Sequence, residues 1–111
     1  MSALQFSQSS EGAVQVVALA GRLDNLTAAE FDAQIAASAG ACTVLDLAKL
    51  EYISSAGLRS VLGALKRSSA SGGKLALAAP IAPVVEVFEI SGFVTLIPVY
   101  PDLASAVAAL S

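Results

Sequence analysis

Two adjacent hydroxyls, Ser54 and Ser55, stand where a strand-like stretch gives way to a helical one, and they are the side chains best placed to do chemistry. They lie inside Leu45 to Lys66, which reads LDLAKLEYISSAGLRSVLGALK. Thr43 to Leu47 is apolar with one Asp, as a buried strand would be. From Ala56 to Lys66, the residues Leu58, Val61, Leu62 and Leu65 fall at i, i+3, i+4 and i+7, the spacing of an amphipathic helix. Tyr52, Ile53, Ser54 and Ser55 are then expected to form the loop that turns into it. A helix start offers unpaired backbone N–H groups and a partial positive charge, both suited to an anion. Two chemistries fit. The serines are plain N-caps, a role worth about 1 kcal/mol that needs no partner. Or one of them receives a phosphoryl group.

The rest of the composition narrows the field. The 111 residues are read as a single domain, 1–111, large enough for a real core. Net charge is −3 and no Lys/Arg cluster exists, which argues against a phosphate-tracking nucleic-acid surface. Histidine is absent, which removes Ser–His and Cys–His catalysis, histidine metal ligation and a histidine phosphocarrier. Cys42 is the sole cysteine, so no internal disulfide forms and no thiolate metal site; it reads as a small buried hydrophobe. No cofactor or metal is expected. The first residues, MSALQFSQSSEG, lack the basic and apolar regions of a signal peptide. The longest apolar stretch, Leu75 to Val85, is broken by Pro80 and Pro83 and is too short to span a bilayer. A cytoplasmic location without direct membrane insertion is expected. A chain with so few charges is expected to spend some apolar surface on a partner.

The elements that would position the serines follow in order. Leu4 and Phe6 alternate with polar residues up to a Glu11-Gly12 turn, and Val14, Val16, Val17 and Leu19 supply a second strand, together a hairpin. Gly21 to Asn25 is expected to end that strand, and Thr27-Ala28-Ala29-Glu30 is a capping box opening a helix with Phe31 and Ile35 inside. That helix should reach about Ser38 and break at Ala39-Gly40-Ala41. After the serine-headed helix, the run Ser68 to Gly73 suits a helix end and a turn, and Lys74 to Ala78 a short strand. Pro83 suits the first turn of a helix burying Val84, Val87 and Phe88, with Glu86 and Glu89 outward and Gly92 as its left-handed end. Leu96, Ile97 and Val99 are expected as a last strand, and Asp102 as the cap of a helix with Leu103, Val107 and Leu110 on one face. The order β-β-α-β-α-β-α-β-α implies right-handed crossovers and a mixed, mostly parallel sheet of about five strands with about four helices, an α/β fold.

Four stretches, in the same order along nearly the whole chain, resemble the STAS domains, and especially the bacterial anti-anti-sigma factors. They are the strand–YISSAGL–helix unit, Gly21-Arg22-Leu23-Asp24 followed by Thr27, the glycine turn Gly72-Gly73-Lys74-Leu75, and Val87-Phe88-Glu89-Ile90-Ser91-Gly92-Phe93. The resemblance implies a single STAS domain. It implies that Ser55 is the residue phosphorylated by a partner kinase, with Ser54 before it, which competes for the cap and is read as the structural hydroxyl, and Ala56-Gly57-Leu58 after it. Phosphorylatable members of the family often carry Asp where this chain has Ser54, and a second Ser or Thr where it has Ala56. Asp24 and Asn25 should lie beside the helix start, with Asp24 either the carboxylate nearest Ser55 or an ordinary capping or turn Asp. Arg59, one turn beyond Ser55, and Lys66-Arg67 make with Ser60 and Gly63 a polar strip that a partner covers or water solvates. The partner-binding set is thus Asp24, Asn25, Ser54, Ala56, Gly57 and Arg59. Gly57 stands where Ala would be the better helix former by about 1 kcal/mol. It suggests close backbone approach by a loop or a partner, so Gly57→Ala is expected to spare melting and cut binding.

The implied function is that of an anti-sigma factor antagonist. Unphosphorylated, it would bind an ATP-binding anti-sigma factor with serine kinase activity and so free a sigma factor. Phosphorylated on Ser55, it would let go until a PP2C-type serine phosphatase restored it. The free chain is expected to be a monomer and not an enzyme. The alternative is a STAS scaffold subunit of a lipid-transport ABC complex or a stress-signalling complex, in which the serine goes unused. A hydrolase with Ser55 as nucleophile has neither a histidine base nor a G-x-S-x-G elbow to support it.

Overall fold

The computed structural model describes residues 3–36 and 42–111. Ten elements follow one another: β1 (Leu4–Glu11), β2 (Val14–Leu23), α1 (Ala28–Ala36), β3 (Cys42–Ile53), α2 (Ser55–Ala70), β4 (Leu75–Ala78), α3 (Ala82–Ser91), a 3-10 turn (Phe93–Thr95), β5 (Val99–Tyr100) and α4 (Leu103–Leu110). The strands form one sheet in the order β1-β2-β3-β4-β5. The β1–β2 hairpin is antiparallel, and every other neighbouring pair is parallel. The α/β fold, five strands and four helices are those expected. The expected end of the first helix near Ser38 and its break at Ala39-Gly40-Ala41 lie outside the described residues.

Alternation along the strands divides the core in two. Leu45, Leu47, Leu77 and Leu19 point to one face, where Phe31 and Ile35 of α1, Leu58, Val61 and Ala64 of α2, and Val84 and Phe88 of α3 cover them. Val14, Val44 and Ala78 point to the other face, under Ala106 of α4, with Leu103, Val107, Leu110 and the half-buried Cys42 packed around them. Burying side chains of this size stabilises by about 1.5–3 kcal/mol each, so the sheet and its covering helices fix each other's place. Gly92 takes φ 79 as the left-handed end of α3, as expected, and Asp102 caps α4 through Ser105 N–H at 2.8 Å.

Three boundaries differ from the sequence expectations. β2 does not end at Gly21 but runs on through Arg22 to Leu23. β3 continues past Leu47 to Ile53, so Tyr52 and Ile53 are strand residues and only Ser54 separates strand from helix. The reason is register: two shifts against β2 insert extra residues into β3, and its buried positions Leu47, Leu50 and Ile53 then fall three apart. The expected last strand is the third case. Gly92 is followed by the 3-10 turn, the N–H groups of Leu96 and Ile97 bond back to the Phe93 carbonyl, and only Val99–Tyr100 pairs with β4. Ile97 still enters the core, from a turn instead of a strand. Among the described residues no helix is long and apolar enough to cross a membrane.

Candidate functional site

The parallel strands β2 and β3 end side by side, Leu23 opposite Ile53, and the chain leaves each through a short turn. The Ser54 N–H donates to the Leu23 carbonyl at 3.0 Å, which locks the head of α2 to the β2–α1 loop. Ser54 has extended backbone (φ −98, ψ 176), and its Oγ accepts from the Gly57 N–H at 3.2 Å while its carbonyl accepts from Leu58 N–H at 2.8 Å. Ser54 is therefore the N-cap of α2. Ser55, the first helical residue, is exposed. The two hydroxyls have divided the work, one closing the helix and the other facing solvent.

α2 is 16 residues long and carries no acidic residue in its first turn, so no side chain of its own neutralises the positive end of its dipole. An anion on Ser55 would meet that partial charge and the first-turn N–H groups that the Ser54 cap does not already engage through Gly57. Ala56 is half-buried, Leu58 is buried, and Arg59 is exposed. Gly57 is buried: a Cβ there would lie 2.6 Å from the Leu23 carbonyl oxygen and 2.9 Å from both Leu23 Cγ and Ile53 Cγ1. The close approach expected at Gly57 is thus made by Leu23 of the same chain. Ser60 is buried too and drops out of the polar strip, which reduces to Arg59, Lys66 and Arg67 with Gly63 half-buried beneath the Arg67 guanidinium. Arg67 reaches Asp32 of α1 at 4.0 Å, both side chains about half exposed, a pair of little energetic weight.

Asp24 lies beside the helix start, in the loop that Leu23 joins to Ser54, but its carboxylate is turned onto its own loop. Oδ1 accepts from Leu26 N–H at 2.9 Å and Thr27 N–H at 3.2 Å, and Oδ2 faces Arg22 Nε at 3.6 Å. The Thr27 hydroxyl donates to the Arg22 carbonyl at 2.9 Å and accepts from Asp24 N–H at 3.0 Å. Arg22 in turn lies over the Tyr52 ring, 4.3 Å from its centroid, at the register position where β2 and β3 place the two side by side. This web presents Asn25 and Leu26 to solvent, Leu26 at 82% exposure. Arg22, Leu26 and Tyr52 were not singled out by their types or spacing. The signal for Leu26 is faint: one apolar residue between two turn-formers, just before a helix cap.

Partial burial pushes the Asp24 carboxyl up, but the Leu26 and Thr27 N–H groups, the Thr27 hydroxyl and the Arg22 guanidinium outweigh it and hold the pKa below the ordinary carboxylate value. The Ser105 N–H and hydroxyl hold Asp102 low in the same direction. A carboxyl depressed in the folded state contributes stability above its unfolded pKa and loses it as pH falls through the folded value. Thermal melts from about pH 5 to about pH 2 should therefore show a falling Tm. The Asp24→Asn/Asp102→Asn pair should flatten that fall. Equal acid slopes in the two proteins would show that neither carboxylate matters to acid stability.

Among the described residues no group of three or more His, Cys, Asp or Glu is placed to hold a metal ion. What the edge offers is a surface: a free hydroxyl at an uncompensated helix start, flanked by a rigid loop.

Residues 6–98 match the family model described as Mlab, STAS domain. Over 97 residues the chain is 40% identical to a Bordetella bronchiseptica protein that carries the name anti-sigma factor antagonist BtrV, covering 85% of this chain and 84% of that one. The fold superposes on an anti-sigma factor antagonist from Mycobacterium paratuberculosis with a TM-score of 0.88 at 23% identity, over 96% of this chain and 93% of the other. It also matches the phosphorylated form of the Bacillus cell fate determinant SpoIIAA, with a TM-score of 0.72 at 22% identity over 96% and 100% of the two chains.

Proposed function

This chain belongs to the STAS-domain family, and from that premise we propose that it is an anti-sigma factor antagonist whose grip on its partner is governed by phosphorylation of Ser55. The observation that carries the reading is the division of labour between the serines. Ser54 is consumed by the cap, whereas Ser55 is exposed at a helix start with no acidic neighbour in the first turn. The name borne by the Bordetella relative supports the antagonist role, and a protein of the same fold exists in a phosphorylated form.

Residues 1–111 act as one domain in the cytoplasm, binding rather than catalysing. Unphosphorylated, the edge formed by Asn25, Ser55, Ala56 and Arg59, shaped by Asp24, Ser54 and Gly57 behind it, docks on an ATP-binding anti-sigma factor with serine kinase activity and so frees a sigma factor. The kinase transfers the γ-phosphoryl group of ATP: the bond from Ser55 Oγ to phosphorus forms, the bond to the ADP oxygen breaks, and the hydroxyl proton passes to a base on the kinase. The added charge, close to −2, ends the complex, and a PP2C-type phosphatase removes it by hydrolysis.

Incubating the purified chain with candidate anti-sigma factor kinases and Mg-ATP tests this. Intact-mass and peptide mass spectrometry should find one added phosphate, on Ser55. Ser55→Ala should take none, yet still bind the kinase. A phosphate on Ser54 would move the site, and no phosphate with any kinase would favour the unmodified scaffold subunit instead.

A further inference from the structure

Resting on the reading above, we infer that Leu26 is the apolar anchor of the interface, seated in a hydrophobic pocket of the anti-sigma factor beside the position that receives Ser55. Leu26 belongs to neither core cluster and is 82% exposed, yet its backbone is fixed. Its N–H is held by Asp24 Oδ1 at 2.9 Å, and the N–H groups of Thr27 and Ala28 bond to the Asp24 carbonyl at 3.2 and 2.9 Å. Only the backbone of Leu26 is used by the turn, so its side chain has no task within the fold. An exposed large hydrophobe on a preorganised loop loses little conformational freedom on docking, which is the condition under which a single side chain dominates an interface.

The place of the loop identifies its occupant. Leu23, three residues earlier, ends β2 beside Ile53 and accepts the Ser54 N–H, so the loop that carries Leu26 leaves the sheet at the same edge as the head of α2 and continues the surface on which a kinase must dock to reach Ser55. Tyr52, held under Arg22 and 41% exposed, extends the apolar surface along the same strand ends. Ile90, although 88% exposed, ends a helix that runs back antiparallel to the strands, and it therefore lies at the far edge from Ser55.

Calorimetric titration against the purified, ADP-loaded anti-sigma factor kinase of the organism that encodes this chain tests the anchor. Leu26→Ala should raise Kd by about 30-fold or more. Leu26→Met should stay within about threefold of wild type, because it keeps the apolar volume. Both should melt within about 2 °C of wild type, since no core contact is lost. Leu26→Ala binding within about threefold of wild type at unchanged Tm would overturn the anchor. Failure of the underlying reading shows differently, as a wild-type chain that neither binds the kinase nor gains phosphate from it.

Discussion

A Ser55→Asp chain should lose about 30-fold or more in affinity for the anti-sigma factor while melting within about 2 °C of wild type. The two halves of that expectation have separate physical origins. In the free protein Ser55 is exposed and its hydroxyl closes no cap, so replacing it removes no packing and no structural hydrogen bond on which α2 depends. An acid in the first turn meets the positive end of the dipole, a favourable term of about 0.3–1 kcal/mol. Leu58, Val61 and Ala64 meanwhile hold α2 to the sheet from the other side. In the complex the same charge is desolvated, and an unpaired charge buried in an interface costs about 2–5 kcal/mol, the source of the affinity loss. True phosphorylation carries more charge and should act more strongly in the same direction. Amide NMR of the two free forms should then differ only around residues 24–27 and 54–59. Shifts spreading through β4 and α4 would mean that release works by refolding, and the electrostatic account would fall.

The serine-headed helix was legible because its signal is local. Leu58 and Val61 carry the helical period, and two hydroxyls before an apolar run mark a start. The expectation that Ser54 is the structural hydroxyl agrees with its extended backbone and the bond its Oγ accepts from Gly57 N–H. The second half of β3 was hidden because the shifts against β2 replace the period of two with a spacing of three at Leu47, Leu50 and Ile53. Ser60 looked like surface because serine usually is, yet it falls on the face of α2 that packs inward. The Asp24 carboxylate serves its own loop through Leu26 and Thr27, the turn role that its type and place also allowed, and these contacts are set by turn geometry. The residue that this turn exposes, Leu26, becomes conspicuous only when its lack of core contacts is seen.

Gly57 is where the structure reverses the sequence expectation most sharply, and Gly57→Ala should now lower Tm by roughly 8 °C. Helix propensity alone favours Ala by about 1 kcal/mol. Against this stands the Leu23 carbonyl oxygen, 2.6 Å from where the new methyl would sit. That oxygen has no room to retreat, because it accepts the Ser54 N–H at 3.0 Å and belongs to the residue that ends β2 opposite Ile53. Ile53 Cγ1 and Leu23 Cγ, both 2.9 Å from the methyl position, close the remaining directions, and both side chains are buried. Overpacking of this kind costs about 1–3 kcal/mol, and a rigid backbone acceptor places it at the upper end, so the net loss is about 2 kcal/mol. Relief comes only if the first turn of α2 moves away from the β2–α1 loop, which would also separate Ser55 from Asn25 and Leu26. Binding should weaken with stability, as one event. Thermal unfolding followed by circular dichroism measures the first effect, and titration of the folded protein well below its Tm measures the second. A variant that melts at or above wild type would show that the head of α2 shifts freely against Leu23. Gly57 would then be kept for a partner's approach instead of the chain's own.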